Sequence, residues 1–209
     1  MKHYGALFDL DGVLIDTEGT YTTFWNRIDD AFPTHVPHFA QIIKGSNLDA
    51  ILNTYFKKED QPRIVEMLNE FQRDMRYEYF DGAMPLVDAL RQEGLKCCVV
   101  TSSDQKKMEA LYQQKPDFAS HFDAVVTGEM VTAPKPAPEC FILGARLIGC
   151  EPRQCLVFED SFNGLAAGMA SGATVVGLAT TNPRASLHGK CHHLFDTIAQ
   201  AHHHLPTLL

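Results

Sequence analysis

Tyr4-Gly5-Ala6-Leu7-Phe8-Asp9-Leu10-Asp11-Gly12 passes from an apolar run directly into two carboxylates and a glycine. Residues 4–10 carry apolar side chains on both faces, the pattern of a parallel strand covered by helices on each side. Four more runs share that character, at residues 95–101, 123–127, 154–159 and 173–179, each rich in Val, Leu, Phe or Cys. Residues 193–195 make a weaker sixth. Helical patterns lie between them at 84–93, 103–115, 138–148 and 163–171. Gly94, Gly149 and Gly172 stand where C-terminal cap glycines belong, and Ser103 stands at a capping position. Strands alternating with helices predict an α/β fold built on a doubly wound parallel sheet.

Residues 17–80 break that alternation. Asp60 and Pro62 mark a helix start, and Ile64, Met67, Leu68, Phe71 and Met75 follow at helical spacing. No strand is apparent, and the stretch is too long for a loop. The chain therefore divides into a core domain, residues 1–16 and 81–209, and an inserted all-α domain, residues 17–80. Phe24 and Trp25 read as packing inside the insertion.

The 209 residues carry a net charge of −8, with 45% apolar and 21% charged side chains. This is a globular composition, and its acidity repels polyanions, so nucleic acid is not an expected partner. None of the six cysteines forms a CxxC pair, and most lie in apolar runs, which predicts reduced thiols in a cytoplasmic protein. No apolar run approaches the roughly 18 residues of a membrane helix, and charges in the first nine residues interrupt any leader core. A monomer is the default expectation. His202-His203-His204 and His192-His193 lack spaced partners and read as solvated surface.

In an open parallel sheet, ligands bind outside the carboxyl ends of the strands. Those ends carry Asp9 and Asp11, Thr101-Ser102-Ser103, and Glu159-Asp160-Ser161; Lys135 lies between Pro134 and Pro136, in the connection from the third strand to the fourth. Carboxylates gathered from two strands repel each other unless a divalent cation joins them, and a hard Mg²⁺ takes oxygen ligands while leaving room for a phosphate oxygen. Thr101 and Ser102 can donate to a phosphate, and Lys135 adds a point charge. This inventory suits phosphoryl transfer, which depends on positioning and charge neutralisation. Gly12 ends the strand, so the two aspartates can take different jobs: a nucleophile, and an acid that later activates water.

Phe8-Asp9-Leu10-Asp11-Gly12-Val13-Leu14-Ile15-Asp16-Thr17-Glu18 resembles the first motif of the haloacid dehalogenase superfamily. Val99-Val100-Thr101-Ser102-Ser103, Lys135-Pro136-Ala137-Pro138-Glu139-Cys140-Phe141 and Phe158-Glu159-Asp160-Ser161-Phe162-Asn163-Gly164 are similar to the second, third and fourth. The branch most resembled is that of the β-phosphoglucomutase-like phosphatases, with a Rossmann-like core and a helical cap. The resemblance implies Asp9 as nucleophile and Mg²⁺ ligand. It implies Asp11 as acid/base, binding the metal through its carbonyl. Thr101, Ser102 and Lys135 would hold the phosphoryl group, and Asp160 would ligate Mg²⁺ with Glu159 nearby. Residues 17–80 would be the cap, hinged at Asp16–Thr17 and at residues 79–83. Thr17, Tyr21, Gly45 and Asn47 are candidates to face the substrate, although Gly45 and Asn47 equally suit a plain junction between helices. Lys44, Arg73 and Arg76 read as solvated charges.

Two departures bear on the activity. The sugar-phosphate mutases of this branch carry Gly-x-x-Arg in the cap, where Lys44-Gly45-Ser46-Asn47-Leu48 places Leu48, and a histidine where this chain has Tyr21. The expected activity is therefore Mg²⁺-dependent hydrolysis of a small phosphorylated metabolite through an aspartyl-phosphate. The alternatives are a sugar phosphomutase and a phospho-accepting or ligand-binding module without turnover.

Overall fold

The computed structural model describes residues 3–209. Six strands form one parallel sheet: β1 (Gly5–Phe8), β2 (Lys96–Val100), β3 (Ala124–Val126), β4 (Cys155–Glu159), β5 (Thr174–Leu178) and β6 (His193–Phe195), in the order β3-β2-β1-β4-β5-β6. Register aligns Phe8 with Val99 on one side and with Phe158 on the other. The chain reverses its direction of winding between β1 and β4, so the loops that leave these strands diverge there and open a crevice.

Helices cover both faces, as the two-sided apolar strands require. On one face α5 (Ala83–Gln92), α6 (Gln105–Gln114) and α10 (Ile198–His203) bury Leu86, Met108 and Ile198 against Phe8, Val99 and Phe158. Phe8 stacks on Phe158 with ring centroids 4.7 Å apart. On the other face α7 (Glu139–Leu147), α8 (Phe162–Ser171) and α9 (Arg184–Leu187) bury Phe141, Leu165 and Leu187 against Leu7, Val100 and Val157. Gly172, with φ +83°, ends α8 in the left-handed conformation. The chain closes on α11 (Leu205–Leu208).

Between β1 and α5 the described chain is helical: α1 (Glu18–Ala31), α2 (Phe39–Ile42), α3 (Leu48–Tyr55) and α4 (Gln61–Asp74). They share a separate apolar cluster around Phe24, Trp25, Ile28, Phe39 and Leu68. Two connections tie this unit to the sheet. They run side by side, with Ile15 bridging Tyr79, Asp16 N donating to Glu78 O at 2.9 Å and Phe80 N donating to Leu14 O at 3.0 Å.

Most strands are shorter by one to two residues at an end than the apolar runs suggest, because their terminal residues already turn into loops. The start of α6 needs a correction. Asp104, not Ser103, caps it, its side chain accepting from Lys107 N at 2.9 Å. Cys97, Cys98 and Cys155 are buried free thiols that burial pushes up to about 12. Among the described residues no helix is long and apolar enough to cross a membrane.

Candidate active site

Asp9 directly follows β1, and its backbone N–H still donates to Phe158 O at 3.0 Å, so it keeps the sheet register. Three residues on, the chain has turned: Gly12 adopts φ +79° and its N–H donates to Ile15 O at 2.9 Å. That turn separates the surroundings of the two aspartates. Asp11 Oδ1 accepts from the Thr17 hydroxyl, and Asp11 Oδ2 accepts from Lys107 Nζ and, at 3.1 Å, from Ser103 Oγ. Asp9 Oδ1 instead accepts from Lys135 Nζ at 2.6 Å.

Lys135 is buried between two carboxylates. Its Nζ reaches Glu159 Oε1 at 2.5 Å as well as Asp9, and Val100 O at 3.3 Å. Glu159 is wholly inaccessible, and its Oε2 accepts from Asp160 N, Ser161 N and Ser161 Oγ at 2.9–3.1 Å. Gly164, in the first turn of α8, leaves no room for a Cβ beside that carboxylate. Glu159 is thus fixed by its own loop and in turn fixes Lys135. Burial opposes the lysine's charge, but Asp9 and Glu159 outweigh it and hold the ammonium well above the usual lysine range. Burial pushes the Asp9 carboxyl up to about 8; Lys135 pulls it down and Glu159 pushes it further up.

A third buried carboxylate, Asp160, lies beside the two that hold this lysine. Single oxygens of Asp9, Glu159 and Asp160 all lie within 4.8 Å of one another. An all-oxygen, anionic donor set suits a hard divalent cation such as Mg²⁺ and not a soft metal. Gly12 packs against this group, where a Cβ would overlap Asp160 and lie 2.6 Å from Thr181 Oγ1. Gly12→Ala is therefore expected to lose about 1–3 kcal/mol of stability through its positive φ and this overlap. Its Mg²⁺ affinity should fall at least tenfold, by analogy with changes behind metal ligands, as measured by calorimetric titration.

A cavity lies between the sheet edge and the helical unit. Asp9, Asp11, Thr101 and Asp160 line it from the core, and Tyr21, Trp25, Leu48 and Gln72 from the helices. Thr101 Oγ1 accepts from Ser103 N at 3.0 Å and shapes the turn after β2. Ser102 Oγ donates to Gly45 O at 2.9 Å and Asn163 Nδ2 donates to Lys44 O at 3.0 Å, so the loop before α3 is docked on the core. Of the four residues proposed to face the substrate, Tyr21 and Gly45 line the cavity. Thr17 is buried against Asp11, and Asn47 instead caps α3, accepting from Ala50 N at 2.9 Å. Lys44 lines the cavity and is not simply solvated, whereas Arg73 is exposed and paired with Asp74.

Sequence reasoning passed over Lys107 and Gln72, and read Ser103 only as a cap. Lys107 sits beside Lys106 and resembles a solvated face. Its helical spacing to Leu111, four residues on, was the available signal that it belongs to the inward side of α6.

A doubly wound sheet with carboxylates able to hold a metal ion at the carboxyl ends of its central strands puts the chain in the α/β class, with a site suited to phosphoryl transfer. A family model described as haloacid dehalogenase-like hydrolase matches residues 5–172, and the chain belongs to that family. It is 31% identical over 182 residues to the fructose-1-phosphate phosphatase YqaB of Escherichia coli K12, covering 84% of this chain and 96% of that protein. It is 29% identical over 222 residues to a β-phosphoglucomutase of Mycobacterium bovis, covering 86% of this chain and 82% of that one. Among solved structures, a hydrolase from Pseudomonas syringae superposes with a TM-score of 0.84 at 22% identity, over 99% of this chain and all of that one. The chain is a hydrolase of phosphoric monoesters.

Proposed function

We propose that the protein is a Mg²⁺-dependent phosphatase of small phosphorylated metabolites, sugar phosphates first among them, working through an aspartyl-phosphate on Asp9. The observation that carries this is the separation of the two aspartates. Asp9 lies in the buried cluster with Lys135, Glu159 and Asp160, while Asp11 is held apart by Thr17, Ser103 and Lys107 at the cavity wall. In the first half-reaction an Asp9 carboxylate oxygen attacks phosphorus. The bond from phosphorus to the ester oxygen breaks, and that oxygen takes a proton from Asp11, which is left as carboxylate. In the second, Asp11 takes a proton from water as the water oxygen attacks phosphorus, and the Asp9–phosphorus bond breaks to release phosphate.

Lys135, Thr101 and Ser102 orient the phosphoryl group, and Glu159 sets Lys135 in place. Asp9, Asp160 and the Asp11 carbonyl would hold Mg²⁺, which when bound supplies positive charge against the phosphate oxygens. Residues 17–80 act as the cap that excludes water and selects the leaving group. The likeness to a fructose-1-phosphate phosphatase supports starting the substrate search there.

The mutase relative keeps a second reading open to test. A mutase must hold a second phosphate, and among the described residues the cavity is lined by Leu48 and no arginine. Incubation with β-glucose 1-phosphate and Mg²⁺ separates the two. The phosphatase should release inorganic phosphate faster than glucose 6-phosphate forms, and the reverse order would establish a mutase.

A further inference from the structure

Gln72 lies on the last turn of α4, is only 6% exposed and lines the cavity. Its backbone carbonyl accepts from Tyr77 Oη at 2.9 Å, and its Nε2 donates to Tyr21 Oη at 3.1 Å. Main chain and side chain are therefore both anchored. Oε1, however, is buried and has no hydrogen-bond partner among the described residues. Buried amide oxygens are rarely left so, because the water they lose is not replaced. Turning the amide over only transfers the deficit, since the phenol would then meet Oε1 and the nitrogen would lack an acceptor.

The surroundings offer little relief. Leu48, Ile51 and Leu68 line the same cavity with hydrocarbon. Lys107 is engaged with Asp11, and its Nζ lies 4.3 Å from the centre of the Tyr21 ring. A ligand that paired with Gln72 through an ammonium would have to give up the hydration of a full charge against this hydrocarbon lining. A neutral hydroxyl meets no such penalty.

We propose that Gln72 is a specificity-determining residue whose Oε1 accepts a hydrogen bond from a hydroxyl of the leaving group. The substrate is then a monophosphate ester of a hydroxylated carbon chain, with its hydrocarbon side against Leu48 and Leu68. This rests on the phosphatase reading and assigns a residue to its choice of leaving group.

The test compares kcat/KM for hexyl phosphate, which has no hydroxyl, with the better of fructose 1-phosphate and glycerol 3-phosphate. Wild type should prefer the hydroxylated ester. Gln72→Leu should lower that preference by about tenfold or more, because a site built to pair a hydroxyl discriminates strongly and an apolar one does not. Gln72→Met, unbranched and closer in shape, reads the same ratio should the leucine variant fail to fold, with circular dichroism and thermal melting as the check. A ratio unchanged within about twofold in a folded variant would make Gln72 a packing residue and overturn the proposal. A wild type that prefers hexyl phosphate overturns it too, while leaving the phosphatase reading intact. Failure of the wild type to release phosphate from these esters or from 4-nitrophenyl phosphate overturns both.

Discussion

Asp9→Asn is expected to lower kcat for every phosphate monoester by about 10⁴ or more, since an amide cannot form the phosphoryl–enzyme bond. The same substitution is expected to raise stability in metal-free protein. Burial pushes the Asp9 carboxyl up from 3.8 to about 8, against the pull of Lys135. Through that window the folded protein keeps a proton that the unfolded chain releases, so stability falls as pH rises. Asparagine does not titrate. The variant should therefore melt several degrees above wild type near pH 8 and converge with it near pH 4, at about 2–4 °C per kcal/mol for a chain of this size. Mg²⁺ should narrow the gap by compensating the wild-type carboxylate. Scanning calorimetry across pH, with and without Mg²⁺, checks both signs.

Lys135→Met should produce the second large effect, and there activity and stability fall together. The lysine side chain is 2% exposed and pairs with Asp9 and Glu159 at once. Its removal strands the buried Glu159 carboxylate without a cation and pushes the Asp9 carboxyl further toward its neutral form, a loss of about 3–5 kcal/mol, or about 6–20 °C in melting temperature. Hydrolysis should cease to be measurable, because the phosphoryl group loses its cation. Glu159→Gln in the same chain removes the stranded charge while keeping an acceptor for the Asp160 and Ser161 N–H groups. The double variant should regain part of the lost stability and none of the activity. Coupling close to zero in that double-mutant cycle would mean that Glu159 does not set the position of Lys135.

The core was legible because a parallel strand buried on both faces writes itself as an apolar run, and its candidate site residues fall where the run stops. Asp9, Thr101 and Glu159 are all found that way, and Lys135 stood out through the prolines on either side. The helical unit was legible as helices but not as a surface. Asn47 looked like a substrate contact because its loop was suspect, yet an asparagine before a helix is first a cap. Ser103 was read as a cap, but Asp104 took that place and freed the serine for Asp11. Gln72 and Lys107 are polar residues on inward faces. Spacing reveals that they are buried, and only assembly of two distant segments reveals what they meet. Lys107 pairs with a residue 96 positions away and Gln72 with one 51 positions away, contacts that no local pattern encodes.

Everything proposed for the site depends on covalent chemistry at Asp9. Wild-type protein mixed with Mg²⁺ and a phosphate monoester carrying radiolabelled phosphorus, quenched in acid within a turnover and digested, tests that directly. The label should appear on the peptide that contains Asp9, and Asp9→Asn should abolish it. Full turnover with no labelled peptide at any quench time, or label on a different residue, would contradict the aspartyl-phosphate at Asp9.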